Sequence, residues 1–286
     1  MKDLPGTYGA ARLGGRLHAV RVENDGGRRQ VTSLLTAEEG QNASFGEGRL
    51  FFNVGDRLAV VKKLRVRHWS GVNAAEVAQF EMMQTLLEPA EAYYFDALPL
   101  EAHGGFQRYL SIAYHRSVVD KLIEAYREKL RRPSGFKLDA VALAQGYLNF
   151  CRVSAGDLVA LADFESDGIT LVLLYRRRLE AIGRMDAVPG DEITVDKARE
   201  LALEFKITID FHLAELSGEG ITVPLSRIFL CGGHARNDIL RAALAEVAPT
   251  ELVLPEFHEG YFRRTAGEQL WNYLERFLIP LGLAVE

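Results

Sequence analysis

Cysteine is almost missing from this chain. Only Cys151 and Cys231 occur in 286 residues, which argues against a disulfide framework and suits a reducing compartment. No stretch approaches the roughly 18 uncharged apolar residues that cross a bilayer. The start, MKDLPGTYGA, carries no apolar run of signal-peptide length. FLIPLGLAV near the end is apolar but short and broken by Pro280, so a packed terminal strand is expected there rather than an anchor. Together these absences lead us to expect a soluble, cytoplasmic protein. Positive charge is not in excess either. The formal net charge is −5 and the pI about 5.9, which gives no general attraction to nucleic acid or anionic lipid. The seven histidines are scattered, and neither His-Glu-x-x-His nor Cys-x-x-Cys occurs, so nothing supports zinc. Gly-x-Ser-x-Gly and the Walker-type Gly-x-x-x-x-Gly-Lys-Ser/Thr are also missing.

What is present is ordinary globular composition, 48% hydrophobic and 26% charged, in a chain longer than one core usually supports. Two lobes are expected. Tyr8–Leu13, Leu17–Val22 and Gln30–Leu35 alternate as strands, separated by Gly14-Gly15 and by Asn24-Asp25-Gly26-Gly27, the residue types that tight hairpins need. Short strands are predicted at Leu50–Asn53 and Leu58–Lys63. Near residue 157 the pattern starts again, with strands Leu158–Asp163, Ile169–Tyr175 and Leu179–Met185 around turns at Glu165-Ser166-Asp167-Gly168 and Arg176-Arg177. Two halves that each open on a meander and run into helices predict a duplicated α/β architecture.

Helices are predicted in five places. Asn73, with Glu76 three residues on, reads as a capping box ahead of Val77, Phe80, Met83 and Leu87, and Pro89 closes that element. Val119, Leu122, Tyr126 and Leu130 mark a helix over Val118–Arg132. The Arg131-Arg132 pair that follows suits solvated capping better than a binding patch. Ala198, Ala202, Phe205, Ile209, Leu213 and Leu216 keep helical period from about Val195 to Leu216. A strand at Arg227–Cys231, a Gly-Gly turn, a helix from about Asn237 to Val247 and a strand at Glu251–Leu254 follow, and a final helix is expected to carry Trp271, Leu274 and Phe277. Further strands are predicted around Ala92–Pro99 and Gln107–His115.

Chemistry has few places to sit. RIFLCGGHARNDIL runs a strand into Gly232-Gly233 and then a helix, where a ligand could approach the backbone and meet free N–H groups. A tight turn that binds nothing competes with that reading. Asp163 ends an apolar strand before a turn, a position from which carboxylates hold metal-bound phosphate. Asp157, Asp163, Glu165 and Asp167 lack the ligand spacing of a calcium loop, and hairpin turn residues explain them as well. Cys231 and His234 straddle a turn with no third group, which is poor support for a nucleophilic pair. The basic run Val61–Trp69 alternates like a partly solvated strand.

In order of motifs the chain resembles the actin-like ATPase superfamily, and within it the PilM family of the type IV pilus machinery with the cytoplasmic part of the type II secretion L protein. LVALADFESDGITLVLLYRRRLEAIGRMD resembles the second phosphate strand-turn-strand. DKARELALEFKITIDFHLAEL with SRIFLCGGHARNDILRAALAE resembles the long helix leading to the Gly-Gly adenosine motif. LRVRHWSGVNAAEVAQFEMMQTLLEP resembles a small extra subdomain, and IPLGLAVE the last strand. The resemblance implies a first lobe at 1–156, with the subdomain at about 58–116, and a second lobe at 157–286. Gly232, Gly233, Asp163 and Thr170 are the residues it assigns to a residual nucleotide site.

The departures bear on function. Where the family's first phosphate loop has Asp-x-Gly, this chain has Ala11 and Leu13. In the second loop Asp163 remains but Glu165 replaces the glycine, and a glutamate inside a phosphate cradle adds like-charge repulsion of several kcal/mol in order of magnitude. Binding of ATP with magnesium is therefore expected to be weak or absent, and no metal or cofactor is assigned. The resemblance implies a non-catalytic cytoplasmic scaffold of a pilus or secretion assembly, held at the inner membrane through its partners. It would dock a membrane partner's short N-terminal cytoplasmic peptide, in a groove between Tyr8–Leu35 and the region around Trp69–Leu87, and contact the motor ATPase. A homodimer stays open. The rivals are an active ATPase or small-molecule kinase of the same fold, with Asp163 reaching the γ-phosphate, and a filament-forming actin relative.

Overall fold

The computed structural model describes residues 6–25, 27–38, 41, 45–67, 73–100, 102, 105–129, 131–263 and 269–285. Gly26, Trp69 and Leu130, named above, lie outside them. The chain divides into two compact units, one running to Asn53 and resuming at Lys129, the other spanning Val54–Glu128.

In the larger unit, β1 (Thr7–Leu13), β2 (Arg16–Asp25) and β3 (Arg28–Glu38) form an antiparallel meander. β4 (Arg49–Val54) returns parallel to β1, and β8 (Gly135–Leu138) lies beyond it, in the order β3-β2-β1-β4-β8. The second sheet repeats this plan. β9 (Leu158–Glu165), β10 (Gly168–Tyr175) and β11 (Arg178–Arg184) make the meander, β12 (Leu225–Cys231) lies parallel to β9, and β13 (Leu252–Val253) completes β11-β10-β9-β12-β13. One topology is used twice in a single chain. The β10–β11 turn runs through Arg176 and Arg177 at φ 49° and 64°, where Asn-Gly is usual. The Arg177 guanidinium donates to the Leu148 carbonyl at 3.1 Å.

α4 (Val195–Gly218) covers one face of the second sheet. The Thr194 hydroxyl caps it by accepting from the Lys197 N–H, and Ala198, Leu201, Ala202, Phe205, Ile209 and Leu216 are buried. The 3.6-residue period read from the sequence is thus the packing stripe. Along β9 the side chains alternate: Ala160, Ala162 and Phe164 join the α4 core, so Leu161, Asp163 and Glu165 project to the opposite face. α5 (Asp238–Val247) packs beside α4, its N-terminus capped by the Asn237 side chain accepting from the Leu240 N–H.

α3 (Asp139–Phe150) has no counterpart among the predicted elements. Most of it is buried, with only Gln145, Leu148 and Asn149 half-buried along one side, and so narrow a polar stripe gives little period to reveal. The C-terminal segment corrects the sequence reading more directly. Leu278–Leu283 is not a strand but a buried helix, α6. Pro280 sits in its first turn, where the missing N–H is harmless. A side chain on Gly282 would meet the Ala142 carbonyl at 1.7 Å, and one on Gly146 would meet the Leu278 carbonyl at 2.0 Å. α3 and α6 therefore touch backbone to backbone, an approach only glycine permits. Lys137 holds the end of α6, its Nζ donating to the Gly282 carbonyl at 2.9 Å and also to that of Val285. The expected helix around Trp271, Leu274 and Phe277 is instead two short 3-10 turns, Gln269–Asn272 and Leu274–Phe277. Arg131 does not cap a helix in solvent but donates to the carbonyls of Gly46 and Gly48.

Among the described residues the smaller unit holds a three-stranded sheet and two α-helices. β5 (Ala59–Arg67), β6 (Tyr93–Pro99) and β7 (Phe106–His115) pair in the order β5-β7-β6. α1 (Ala74–Met83) begins as predicted, with Asn73 Oδ1 accepting from the Ala75 N–H and Asn73 Nδ2 donating to Glu76 Oε1. Its buried face differs from the expected one. Ala78 and Met82 are buried, with Met82 packed among Tyr93 and Ala113, whereas Phe80 is 59% exposed and Leu87 fully so. The helix also stops at Met83, well before Pro89. α2 (Arg116–Lys129) buries Val119 and Tyr126.

Candidate functional site

A cleft of about 770 Å³ opens in the larger unit at the ends of β1, β9 and β12, within the size range of small-molecule sites. Its walls come from the β1–β2 hairpin (Gly14, Arg16, His18), the β9–β10 turn (Glu165, Ser166) and the turn after β12 (Gly233, His234), together with Arg276.

Two carboxylates of the chain occupy the backbone donors here. Gly233 N–H donates to Glu165 Oε1 at 2.9 Å, and Gly14 N–H donates to Asp167 Oδ1 at 2.9 Å. The second bond ties the tip of the first hairpin to the turn of the second. A side chain at Gly14 would press on Ser166 Oγ at 3.0 Å and Glu165 Oε2 at 3.1 Å. The Gly-Gly turn has the same explanation. Gly232 has φ +84°, and a Cβ there would meet the Phe164 carbonyl at 2.7 Å and Asp163 Oδ1 at 2.9 Å; one on Gly233 would meet Glu165 Oε2 at 2.9 Å. The two glycines thus make room for β9 and for the Glu165 carboxylate.

The site residues expected from the sequence part company in depth. Gly233 lines the cleft. Asp163 is buried, lies against Gly232, and faces Thr170 directly across the β9–β10 pair; neither of them walls the cleft. Ala11 is fully buried on β1 and pairs with His18. Cys231 and His234 do not meet as a pair: the Cys231 thiol bonds to the Phe229 carbonyl, and His234 Nε2 to the Gly190 carbonyl at 2.9 Å. Burial, then the nearby Asp163 charge, pushes the Cys231 thiol well up, which removes the thiolate a nucleophile needs.

The electrostatics follow from burial. Glu165 is pushed up to about 7, first by desolvation, against the lowering effect of the Gly233 N–H bond; Asp167 raises it further while Arg276 and Arg16 pull it down. His18 is held down at about 4 by burial and then by Arg276 and Arg16, so it is neutral at physiological pH. Its Nδ1 lies 3.1 Å from Thr36 Oγ1 and its ring packs edge-on against Phe277 at 5.4 Å. Beneath the first hairpin, Asn53 links the Arg12 N–H at 2.9 Å to Asp139 Oδ1 at 2.9 Å. Arg16, His18 and Arg276 escaped sequence reasoning. They come from a strand and a distant 3-10 turn, and no local motif marks them.

No protein-family model matches the sequence, and no curated protein matches it. Solved structures do. A chain of the PilM–PilN type IV pilus biogenesis complex superposes with TM-score 0.74 at 15% identity, over 97% of both chains. A Bacteroides thetaiotaomicron protein, described as having an actin-like ATPase fold and unknown function, gives TM-score 0.51 at 10% identity over 98% of this chain and 96% of that one. The cytoplasmic domain of EpsL, an inner-membrane component of the type II secretion system of Vibrio cholerae, reaches only 0.46 at 8% identity, over 98% of this chain and 96% of that one. The repeated sheet plan and the two full-length matches above 0.5 give one conclusion: this chain has the actin-like ATPase fold, shared along nearly its whole length with a chain of the PilM–PilN complex.

Proposed function

We propose that the protein is a non-catalytic actin-like scaffold of a type IV pilus or related secretion assembly. In this reading residues 1–156 and 157–286 act as the two lobes, with 58–116 as the inserted subdomain. The protein works in the cytoplasm, peripheral to the inner membrane through its partners. It docks the short N-terminal cytoplasmic peptide of an inner-membrane component and contacts the assembly's motor ATPase. The fold shared with a chain of the PilM–PilN complex supports the pilus or secretion setting. Among the described residues no helix is long and apolar enough to cross a membrane, consistent with attachment through a partner.

One observation carries the non-catalytic part: the Glu165 carboxylate sits on the Gly233 N–H in the cleft, with Asp167 closing the hairpin tip beside it. While Glu165 is ionised, a phosphate brought to about 4 Å from it meets a repulsion of about 4 kcal/mol at an effective dielectric near 20; below about pH 7, where Glu165 holds a proton, the repulsion is relieved and only the occupied Gly233 N–H remains. Peptide docking needs backbone or apolar contacts and no phosphate chemistry, so it survives this change. Calorimetric titration with magnesium-ATP and, separately, with the N-terminal peptide of a pilus inner-membrane partner tests both halves. We expect peptide binding and no nucleotide heat. Micromolar magnesium-ATP binding would overturn the non-catalytic reading in favour of an ATPase or kinase, and silence with the peptide would overturn docking.

A further inference from the structure

α4 carries an apolar stripe on the side away from the sheet. Leu203, Ile207 and Phe211 stand four residues apart, and with Val195 each is more than half exposed. Beside the first turns of the helix a groove of about 360 Å³ runs between α4 and α5, lined by Val195, Ala198, Ile239, Ala242 and Ala243 together with three charged residues. Single exposed apolar residues are ordinary on a surface, but a row of them running on into a groove marks an interaction face. Because Ala162 and Phe164 pack towards α4 and Glu165 projects to the opposite face, this stripe lies away from the cleft.

The charges beside the stripe select its occupant. At about 100° per residue, Lys206 and Asp210 flank Ile207 on one side, and Lys197 and Glu215 flank it on the other. Two copies of α4 packed antiparallel, about a two-fold axis at Ile207, keep each flank on its own side and reverse the helix direction. With a rise of about 1.5 Å per residue, Lys206 is then offset by only about 3 Å along the helix from Asp210 of the second copy, and Lys197 by about 3 Å from Glu215 of the second copy. Both flanks therefore set opposite charges together, while Leu203 faces Phe211 of the second copy and Ile207 meets itself. Parallel packing in register would instead set Lys206 against Lys206 and Asp210 against Asp210. The Lys206 ammonium holds Asp210 of its own helix at 2.6 Å and has two more donors, so the intermolecular bond adds to that pair without breaking it.

We propose that α4 is a self-association face: two copies of this chain pack their α4 helices antiparallel around Ile207 as a symmetric dimer. Such a face is the same patch on both copies, which a two-fold axis requires. One helix face is smaller than the roughly 800 Å² per partner of a standard interface. The dimer is accordingly weak, with a dissociation constant on the order of tens of micromolar. The proposal stands apart from the scaffold reading, since it needs neither a peptide nor a pilus partner.

Sedimentation equilibrium of the full chain from about 1 to about 300 µM tests the proposal. The mass is expected to rise reversibly from 31.9 kDa towards twice that value. Ile207→Asp should stay monomeric throughout. Lys206→Glu gathers four carboxylates at the centre of the dimer and Asp210→Lys four ammonium groups, so each variant alone should associate about tenfold more weakly or worse. An equimolar mixture of those two variants pairs opposite charges again and should dimerise as the parent does. Leu87→Asp alters a fully exposed leucine outside the stripe and should leave dimerisation unchanged. Thermal melts at about 1 µM, where the parent is itself monomeric, confirm that each variant is folded. The proposal fails if the parent stays monomeric at the highest concentration, if a folded Ile207→Asp still dimerises, if Leu87→Asp abolishes the dimer, or if the mixture associates no better than its components. None of these outcomes alters the reading of the magnesium-ATP and peptide titrations.

Discussion

Replacing Glu165 by glutamine isolates the charge that fills the cleft. The folded protein holds this carboxyl at about 7 against an ordinary 4.5, so between those values the folded state keeps a proton that the unfolded chain has released. Unfolding free energy must therefore fall as pH rises through that window, and the cost is complete above pH 7. At pH 8 the ionised group costs the fold about 3 kcal/mol, and at pH 5 less than about 1 kcal/mol. Glutamine keeps an oxygen for the Gly233 N–H and drops the charge, but its amide donors need partners and forfeit about 1 kcal/mol. Glu165→Gln should thus stabilise the protein by about 2 kcal/mol at pH 8 and by nothing measurable at pH 5. Urea unfolding at both pH values reads this as a shift in midpoint with unchanged slope. Because parent and variant are compared at each pH, titration of groups that do not interact with Glu165 cancels. Equal stability changes at the two pH values, within about 0.5 kcal/mol, would show that Glu165 is not a buried charge and would remove the physical basis of the filled cleft.

Two further predictions concern packing. Ala142 O and Leu278 O leave no room for a methyl at Gly282 or Gly146, so Gly→Ala at either should cost more than about 3 kcal/mol or prevent folding, read by thermal melts; Gly218→Ala, with nothing within 4 Å, should be neutral or stabilising by up to about 1 kcal/mol. On α4, Leu203, Ile207 and Phe211 point away from the core at 60%, 61% and 65% exposure, so Ile207→Gln should change stability by no more than about 0.5 kcal/mol while Phe205→Ala costs about 3–5 kcal/mol, both measurable by urea unfolding.

Much of the secondary structure was legible because the signals are local. The Gly14-Gly15 and Arg176-Arg177 turns, the Asn73 cap, the helix start near Asn237 and the Ala198–Leu216 period each depend on residues within one or two turns of one another. α3 and α6 were not legible for a physical reason. α3 leaves only a narrow half-buried stripe at Gln145, Leu148 and Asn149, so its period is faint, and a short apolar run with a proline such as α6 reads equally well as a strand. α1 marks an intermediate case: its cap was readable, but Met82 rather than Phe80 faces the small sheet, since several faces of that helix are apolar and only the sheet selects among them.

The candidate site divides along the same line. Sequence alone determined that the Asp-x-Gly pattern is broken, with Leu13 and Glu165 where glycines belong in the resemblance, and that Gly232-Gly233 joins a strand to a helix. Only tertiary structure decided what that loss does. It seats Glu165 on the Gly233 N–H, joins Asp167 to Gly14 across 153 residues of chain, and brings Arg276 to the cleft wall. Hydrogen bonds and charges brought together from distant segments have no period and no spacing. They exist only once the two sheets bring those segments together.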